Sequence, residues 1–284
     1  MRWSRIMLAV TVLAVSWPHT AGAQNKPPAP AAPDDDPDRD PNRNQPDFTI
    51  VNLPTTLRVP RFKSAFRVTH RFGRRLGDGN FGDLADDLFG LDSGAQIGLE
   101  YRFGIIRGGQ IGIHRTSSRT IEFFGQYSVL QQRENKMLGL DAFASIDGTN
   151  NFRDSYTPAL GIVVSRELGS IGAIYAEPMW VNNTNPLPTD VIPEDDHNDT
   201  FILGLGARLR IRPTVYIVGE FTPRVSGYRP GSTQGGVAIE KRAGGHMFQL
   251  NFGDAFGTTM TQIARGGPDG SNWYVGFNIS RKFY

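Results

Sequence analysis

Twelve segments in which apolar and polar residues alternate constrain the fold more than any other feature of this sequence. In the clearest segment, 200–211, Phe201 and Leu203 fall on one face, whereas Arg208 and Arg210 fall on the other. A period of two residues is typical of a β-strand with one apolar and one polar face. Most segments contain about nine to eleven residues, the strand length that crosses a bilayer at a tilt. The segments are 65–73, 95–103, 110–115, 120–130, 138–146, 156–166, 171–181, 200–211, 214–222, 236–242, 246–253 and 272–284.

The connections between these segments alternate between long and short. Residues 74–94 form a long connection and residues 104–109 a short one, and the order continues to the long connection 254–271. Only residues 116–119 are short where a long connection is expected. Outer-membrane barrels have this asymmetry, with short periplasmic turns and longer outer loops. An even number of strands would place both ends of the chain on the side of the short turns.

A sheet with one apolar face needs a second protein layer or lipid to cover that face. In hydrocarbon every backbone N–H and C=O group must be paired, so a sheet that crosses a membrane has to close on itself. We therefore predict an all-β fold: an antiparallel up-and-down transmembrane β-barrel of about twelve strands, preceded by a disordered N-terminal tail. The alternative is a soluble β-sandwich whose apolar faces pack on each other.

The polar faces of the segments carry nine charged residues that a barrel would point into its lumen. Arginines and carboxylates are both present, so ion pairs across the lumen are expected. Twelve strands lie between the roughly eight that give a filled interior and the roughly sixteen that give a water channel. The pattern thus leaves open whether the lumen conducts, and whether residues 254–271 fold into it. The nine residues are Arg67, Arg71, Glu100, Arg102, Glu122, Asp141, Arg208, Arg210 and Glu220.

The last segment ends on aromatic residues, and its apolar face is interrupted only by Arg281. It resembles the closing strand of bacterial outer-membrane barrels, whose aromatic end the barrel-assembly machinery recognises. The resemblance implies that this strand is the assembly signal of the chain. The residues that would form the signal are Trp273, Val275, Phe277, Ile279, Phe283 and Tyr284.

The residues before the first segment are predicted to lie outside the barrel. Residues 1–23 have the pattern of a secretory signal peptide, in which Arg2 and Arg5 precede a short apolar run. Residues 24–47 form a linker rich in proline and aspartate, which is expected to be disordered because it buries little apolar surface. The barrel domain then covers residues 48–284. We expect the barrel to lie in the bacterial outer membrane with its N-terminal tail in the periplasm.

Composition excludes several kinds of site. The chain contains no cysteine, so it has no disulfide, no thiolate metal site and no covalently attached haem. Its 30 basic and 28 acidic residues nearly cancel, and no basic block is present, which argues against nucleic acid as a partner. We predict no cofactor.

The sequence predicts neither a catalytic constellation nor a metal site. The nearest catalytic candidate is His114 with Ser117 and Ser118, which a barrel lipid hydrolase would place near its outer rim. A turn of small polar residues explains the same pattern. The acidic loop 194–199 has oxygen ligands that suit calcium, but a solvated loop is the simpler interpretation. The same interpretation applies to Asp83, Asp86, Asp87 and Asp92.

Four short motifs resemble a known family. They lie at residues 52–56 (NLPTT), 70–73 (HRFG), 88–92 (LFGLD) and 119–127 (RTIEFFGQY). The family is a group of bacterial outer-membrane β-barrels catalogued as a domain of unknown function, and the likeness covers about residues 48–284. It implies the barrel fold, and it implies no catalytic residue because the family has no established activity. Within this resemblance, residues 53–56 would lead from the tail into the barrel.

Two functions are consistent with these patterns. The first is a channel or uptake protein for small polar solutes, with selectivity set by the charged lumen. The alternative is a plugged structural barrel that serves as a scaffold or partner-binding platform in the cell envelope. The partners that we predict are outer-membrane lipid, the barrel-assembly machinery and, through the tail or the outer loops, another envelope protein.

Overall fold

The structure is a computed structural model, and it describes residues 44–90, 94–132, 136–186, 198–228, 232–267 and 272–284. The predicted signal peptide, residues 24–43 of the predicted linker and residues 194–197 of the acidic loop lie outside these ranges.

Antiparallel strands form one sheet in which, apart from the short tenth strand, each strand pairs with the next along the chain, and the last strand pairs with the first. The tenth strand is a short continuation of the ninth beyond Pro223, which has no N–H to donate, and it also pairs with the eighth strand. The predicted up-and-down barrel of twelve strands is therefore confirmed. The strands are β1 (Ser64–Arg75), β2 (Ala95–Ile106), β3 (Gly109–Thr116), β4 (Ile121–Leu130), β5 (Gly139–Gly148), β6 (Asp154–Leu168), β7 (Gly172–Val181), β8 (Thr200–Arg212), β9 (Val215–Thr222), β10 (Arg224–Ser226), β11 (Gln234–Ala243), β12 (His246–Gly253) and β13 (Tyr274–Phe283).

The two ends of the barrel differ in their connections. At one end, which we call the turn end, connections of only two or three residues join four pairs of strands: β2–β3, β6–β7, β8–β9 and β11–β12. Residues 107–108 and 213–214 are two of these connections. At the other end, the loop end, residues 76–94 and 182–199 form long connections. Ser64, the first residue of β1, pairs with Phe283, the last residue of β13, and both lie at the turn end.

Short helices occur in or beside the connections at the loop end. They are α1 (Phe81–Asp86), a 3-10 turn (Leu88–Gly90), α2 (Thr149–Phe152) and α3 (Met260–Arg265). In α1, Asp83 completes a capping box with Asn80, and Asp87 pairs with Arg74. Two of the four aspartates of the first long loop therefore have local structural partners. Within the described ranges, no helix is both long enough and apolar enough to span a membrane.

The outer face of the barrel is apolar and exposed. Leu99, Leu160 and Leu209 are 47%, 57% and 47% exposed, respectively, whereas their lumen-facing neighbours Glu100 and Arg208 are buried. A soluble sandwich would bury the leucines against a second sheet. This arrangement therefore favours the barrel over the soluble alternative, because the outward faces have lipid as their natural cover.

Candidate functional site: the occupied lumen

The lumen is entered from the turn end by residues 44–60, which we call the N-terminal plug. At the start of the plug, the side chain of Asn44 donates to the carbonyl of Gly169 in the β6–β7 turn (2.6 Å). After the plug, the chain leaves the lumen at Phe62, whose amide donates to the carbonyl of Gly104 (2.7 Å). Within the plug, all residues are buried except Thr56 and Arg58, which are half-buried. The predicted linker thus extends too far. Residues 44–47 lie inside the barrel and are ordered by contacts that the sequence does not display.

The plug is a tight hairpin with its tip deep in the lumen. Thr49 and Pro54 form an antiparallel bridge, and the Ile50 amide donates to the carbonyl of Leu53 (2.8 Å). The side chains of Ile50 and Leu53 are fully buried. Residues 53–56, which the family resemblance predicted to lead into the barrel, form the tip and the returning arm of this hairpin.

A single carboxylate holds the tip of the plug. Glu220 on β9 accepts hydrogen bonds at one oxygen, Oε2, from the amides of Val51 (2.9 Å), Asn52 (2.8 Å) and Leu53 (2.9 Å). Three converging amides form an anion-binding nest, and hydrogen bonds to a charged acceptor are stronger than neutral ones. Glu220, predicted as a lumen charge, is therefore a binding group for the chain's own backbone.

Other side chains of the wall satisfy the carbonyl groups of the plug. Without them, these carbonyls would be buried without partners, at a cost of about 1–3 kcal/mol each. Their donors come from strands all around the barrel. They are Arg208, Gln249, Asn278, Gln126 and Gln110, which donate to Thr49 (2.7 Å), Ile50 (2.7 Å), Val51 (2.9 Å), Thr55 (2.7 Å) and Leu57 (3.2 Å), respectively.

One group of predicted lumen charges forms a compact ion cluster on β1 and β2. Glu100 lies between Arg67, which contacts it at 2.6 Å, and Arg102, which donates to its second oxygen. Arg67 also donates to the hydroxyl of Thr49 in the plug (2.6 Å). Each of the three charges is buried, and the carboxylate is shared between two cations.

A second ion pair lies on the opposite part of the wall. Arg208 on β8 binds Glu240 on β11 through two hydrogen bonds (2.8 and 3.0 Å), and neither side chain is exposed to solvent. Tyr175 accepts a further hydrogen bond from Arg208 (3.3 Å). Sequence reasoning missed Glu240, although its alternation with the outward Ile239 and Lys241 could have identified it.

The remaining predicted lumen residues have separate partners. Arg71 donates to Asn278 (2.9 Å) and to Asn52 of the plug (2.7 Å), and Asp141 accepts from Gln126 (2.7 Å). Arg210 shares the lumen parity of Arg208 but is half-buried near the turn end. The structure therefore gathers the predicted charges around the plug rather than along an open passage.

From the loop end, residues 254–267 enter the lumen as a second element, the loop-end insertion. Its helix α3 buries Met260 and Ile263, and the amide of Met260 donates to Glu122 (3.2 Å). The hydroxyl of Thr259 donates to Asp147 on β5 (2.6 Å). Sequence reasoning missed Asp147 because it ended the fifth strand at residue 146 and placed Asp147 in a loop, whereas β5 continues to Gly148. Whether residues 254–271 enter the lumen was left open by the sequence, and the described part of this segment does so.

The plug and the insertion meet in the middle of the barrel. The cavity between them has a volume of about 20 Å³ and is lined by Asn52 and Pro54 from one side and Met260 and Ile263 from the other. Such a volume holds about one water molecule. A larger cavity of about 110 Å³ opens at the turn end beside Thr56. Where the described residues of the plug and the insertion line the smaller cavity together, the space between them is therefore too small for a solute larger than water.

The candidate hydrolase residues are not brought together. His114 faces the lumen, where its Nδ1 lies 3.8 Å from Glu122 Oε2, whereas Ser117 and Ser118 lie exposed in the β3–β4 turn. Ser118 instead contacts the hydroxyl of Thr116 (2.8 Å). Among the described residues, no group of three or more histidine, aspartate or glutamate side chains is placed to hold a metal ion.

The predicted assembly signal forms most of β13 and the residues around it. Trp273, Phe283 and Tyr284 are 41%, 51% and 37% exposed. Val275, Phe277 and Ile279 share the outward face of the strand and are half-buried. The recognition of this strand by assembly machinery stays a prediction.

Comparison with known families gives one match, to a family described as a membrane bound β-barrel domain (DUF5777), which covers residues 47–283. The chain belongs to this family. The resemblance to a barrel family of unknown function is thereby confirmed, and this protein is a membrane-bound β-barrel. The comparison with curated proteins gives no match.

Solved structures of similar shape include porins and another outer membrane protein. The NanC porin has a TM-score of 0.53 at 8% identity, with 78% of this chain and 100% of that chain covered. A KdgM porin in complex with disordered oligogalacturonate has a TM-score of 0.48 at 7% identity, with 78% and 99% covered. The outer membrane protein Omp33 of Acinetobacter baumannii has a TM-score of 0.44 at 9% identity, with 78% and 98% covered. At 8% identity, the likeness to NanC porin shows a shared barrel fold.

Proposed function

We propose that this protein is an outer-membrane channel for small polar solutes that its own N-terminal plug holds closed. The observation that carries the proposal is the binding of the plug backbone by polar side chains of the barrel wall. Glu220, Gln249 and Asn278 are examples, and each of them contacts backbone atoms of the plug. The proposal places the turn end in the periplasm and includes no catalytic step.

The wall that the plug covers is suited to polar solutes. Gln110, Gln126, Gln249 and Asn278 would present amide groups to the bore if the plug left, and amides both donate and accept hydrogen bonds. Arg208 and Glu240 neutralise each other across neighbouring parts of the wall. A lining of amides and paired charges favours hydroxyl-bearing or zwitterionic solutes over simple ions of one sign.

The closed state is held firmly, so opening requires a trigger. Each hydrogen bond from the plug to Glu220 contributes about 1.5–3 kcal/mol, because its acceptor is charged. The plug is anchored at the turn end, where Lys282 donates to the carbonyl of Pro46 (2.7 Å). We propose that a solute or an envelope protein acts on the plug from that end.

Two truncations test the proposal, each with residues 1–23 retained for export. Removal of residues 24–43 leaves the plug in place and is expected to give silent planar bilayers, like the full chain. Removal of residues 24–60 takes the plug away but leaves all strands from Ser64 onward, so ion steps are expected. A mobility shift on heating of unboiled samples verifies that each variant forms a barrel.

Two outcomes would overturn the gated channel. Ion steps from the full chain that are as large as those of the 24–60 truncation would show that the plug does not close the barrel. Silence of the folded 24–60 truncation, both alone and after α3 has been replaced by a Gly/Ser linker, would show that the barrel has no conducting state.

The second outcome would support the plugged scaffold, which the closed centre of the lumen also favours. In that case the role of the barrel would be to hold the tail or the loops for another envelope protein. Removal of residues 24–43 would then release a co-purifying partner without loss of the barrel.

A further inference from the structure

Two polar residues interrupt the apolar outer faces of neighbouring strands near the turn end. His246 lies on the outward face of β12 together with the apolar Phe248. Arg281 lies on the outward face of β13, between the apolar residues Ile279 and Phe283. In the sheet, His246 and Arg281 lie directly opposite each other. The sequence shows each interruption separately, whereas only the pairing of β12 with β13 brings the two together.

The side chains of this pair are in contact. Arg281 Nη1 lies 2.9 Å from Nδ1 and 3.2 Å from Nε2 of His246. The contact involves only Nη1 of Arg281, which is exposed, so its other N–H groups can face the surroundings of the barrel.

A second cation lies on the next strand. Lys241 on β11 is exposed on the outward face and is paired in register with Phe248. Its ammonium group donates to the hydroxyl of Thr214 (3.1 Å), a contact that leaves two of its three N–H bonds available. Arg281, His246 and Lys241 thus form a basic cluster on three consecutive strands, at the edge of the apolar band.

We propose that this cluster binds the phosphate of an anionic phospholipid headgroup in the leaflet at the turn end. Cations at the edge of hydrocarbon extend toward the headgroups, where anionic lipid attracts them. The planar fork of arginine matches two phosphate oxygens, and lysine adds a point charge. Phe248 and Ile279 beside the cluster would contact the acyl chains of the same lipid.

Lipid retention by the purified full chain tests the site. Native mass spectrometry would compare phosphatidylglycerol with phosphatidylcholine of the same acyl chains. The wild-type protein is expected to retain phosphatidylglycerol in preference. Arg281→Gln should reduce this retention about fivefold, the effect typical of one cation near an anionic surface. Arg281→Lys should restore most of it because the charge remains.

Arg166 provides the matched control. It is also exposed on an outward face near the turn end, but it lies opposite the apolar Ile174 of β7. Arg166→Gln is expected to leave the retention of phosphatidylglycerol unchanged, and the heat-shift assay verifies that each variant folds. Equal retention of both lipids by the wild type, or equal losses in the two glutamine variants, would overturn the proposal. Displacement of the lipid by millimolar inorganic phosphate would also overturn it, since it would identify a site for free anions.

Discussion

At the scale of single residues, several of the buried charges in the lumen are paired with a charge of opposite sign. Arg208 binds Glu240 through two hydrogen bonds and also donates to Thr49 of the plug. Burial removes both charges from water, and the attraction between them offsets that cost only while both partners are present. The pair therefore links the wall to the plug without leaving a free charge in the lumen.

Glu240→Gln should destabilise the barrel, because it leaves the charge of Arg208 buried without a counter-ion. Loss of one partner of a buried pair costs about 3–5 kcal/mol of unfolding free energy. Urea titration in lipid vesicles, followed by gel mobility of unboiled samples, measures the change. Asp154→Asn alters an exposed carboxylate and is expected to have little effect.

Replacement of both partners, as in Arg208→Met with Glu240→Met, should recover much of the lost stability. Equal stabilities of wild type and Glu240→Gln would contradict the assignment of this pair as a compensated buried ion pair.

At the scale of elements, β8 and the plug fit each other through two glycines. A Cβ atom at Gly206 would lie 2.3 Å from Cδ1 of Ile50, and one at Gly204 would lie 2.6 Å from Cδ1 of Leu53. The missing side chains thus provide the space that the two apolar residues of the tip occupy. A glycine in a strand is often explained by such a close approach.

Glu220→Gln should loosen the plug, because three charge-assisted hydrogen bonds become neutral ones that are each weaker by about 1 kcal/mol. We expect brief ion steps in planar bilayers, against silence in the wild type. A disulfide between the plug and the wall should suppress these steps. The hydroxyl oxygens of Thr56 and Ser165 are 2.5 Å apart, and the chain has no cysteine of its own, so both can be changed to cysteine.

Oxidation of this pair in the Glu220→Gln background should silence the channel, and reduction should restore it. Thr184 and Thr200, whose hydroxyl oxygens are 2.7 Å apart away from the plug, provide a control disulfide with no expected effect. Steps that persist with the plug covalently tethered would show that the plug is not the gate.

At the scale of the whole molecule, the barrel is closed from both ends by elements of different origin. The N-terminal plug enters beside β1, whereas the loop-end insertion connects β12 to β13. Because the two meet across a cavity of about 20 Å³, each element occupies part of its own half of the lumen. Twelve strands enclose more space than their own side chains fill, and these two segments fill the remainder.

Replacement of α3 by a Gly/Ser linker should enlarge the ion steps of the 24–60 truncation. The reason is that Met260 and Ile263 remain in the loop-end half of the lumen after the plug has been removed. In the full chain the same replacement should leave bilayers silent, since the plug still fills the turn-end half. The measurement compares the step sizes of the 24–60 truncation with and without α3 under one salt condition, and larger steps without α3 verify the prediction. Equal sizes would show that the insertion does not narrow the bore.

The barrel could be predicted because its signals are local. Alternation along a strand and the length of a connection are properties of neighbouring residues, and together they require a closed sheet. The same pattern predicts that Arg67, Glu100 and Glu220 lie on the lumen-facing side of their strands, and these residues are buried inside the barrel.

The state of the lumen was decided by tertiary structure. Residues 44–60 have no sustained alternation of apolar and polar residues, so their own pattern does not indicate where they lie. The groups that order them are distant, since Glu220 is 167 residues from Leu53 and Gln249 is 199 residues from Ile50. Only closure of the barrel brings these polar side chains around one backbone. The alternating sequence by itself determined the wall, and the packing of distant segments decided that its interior is filled.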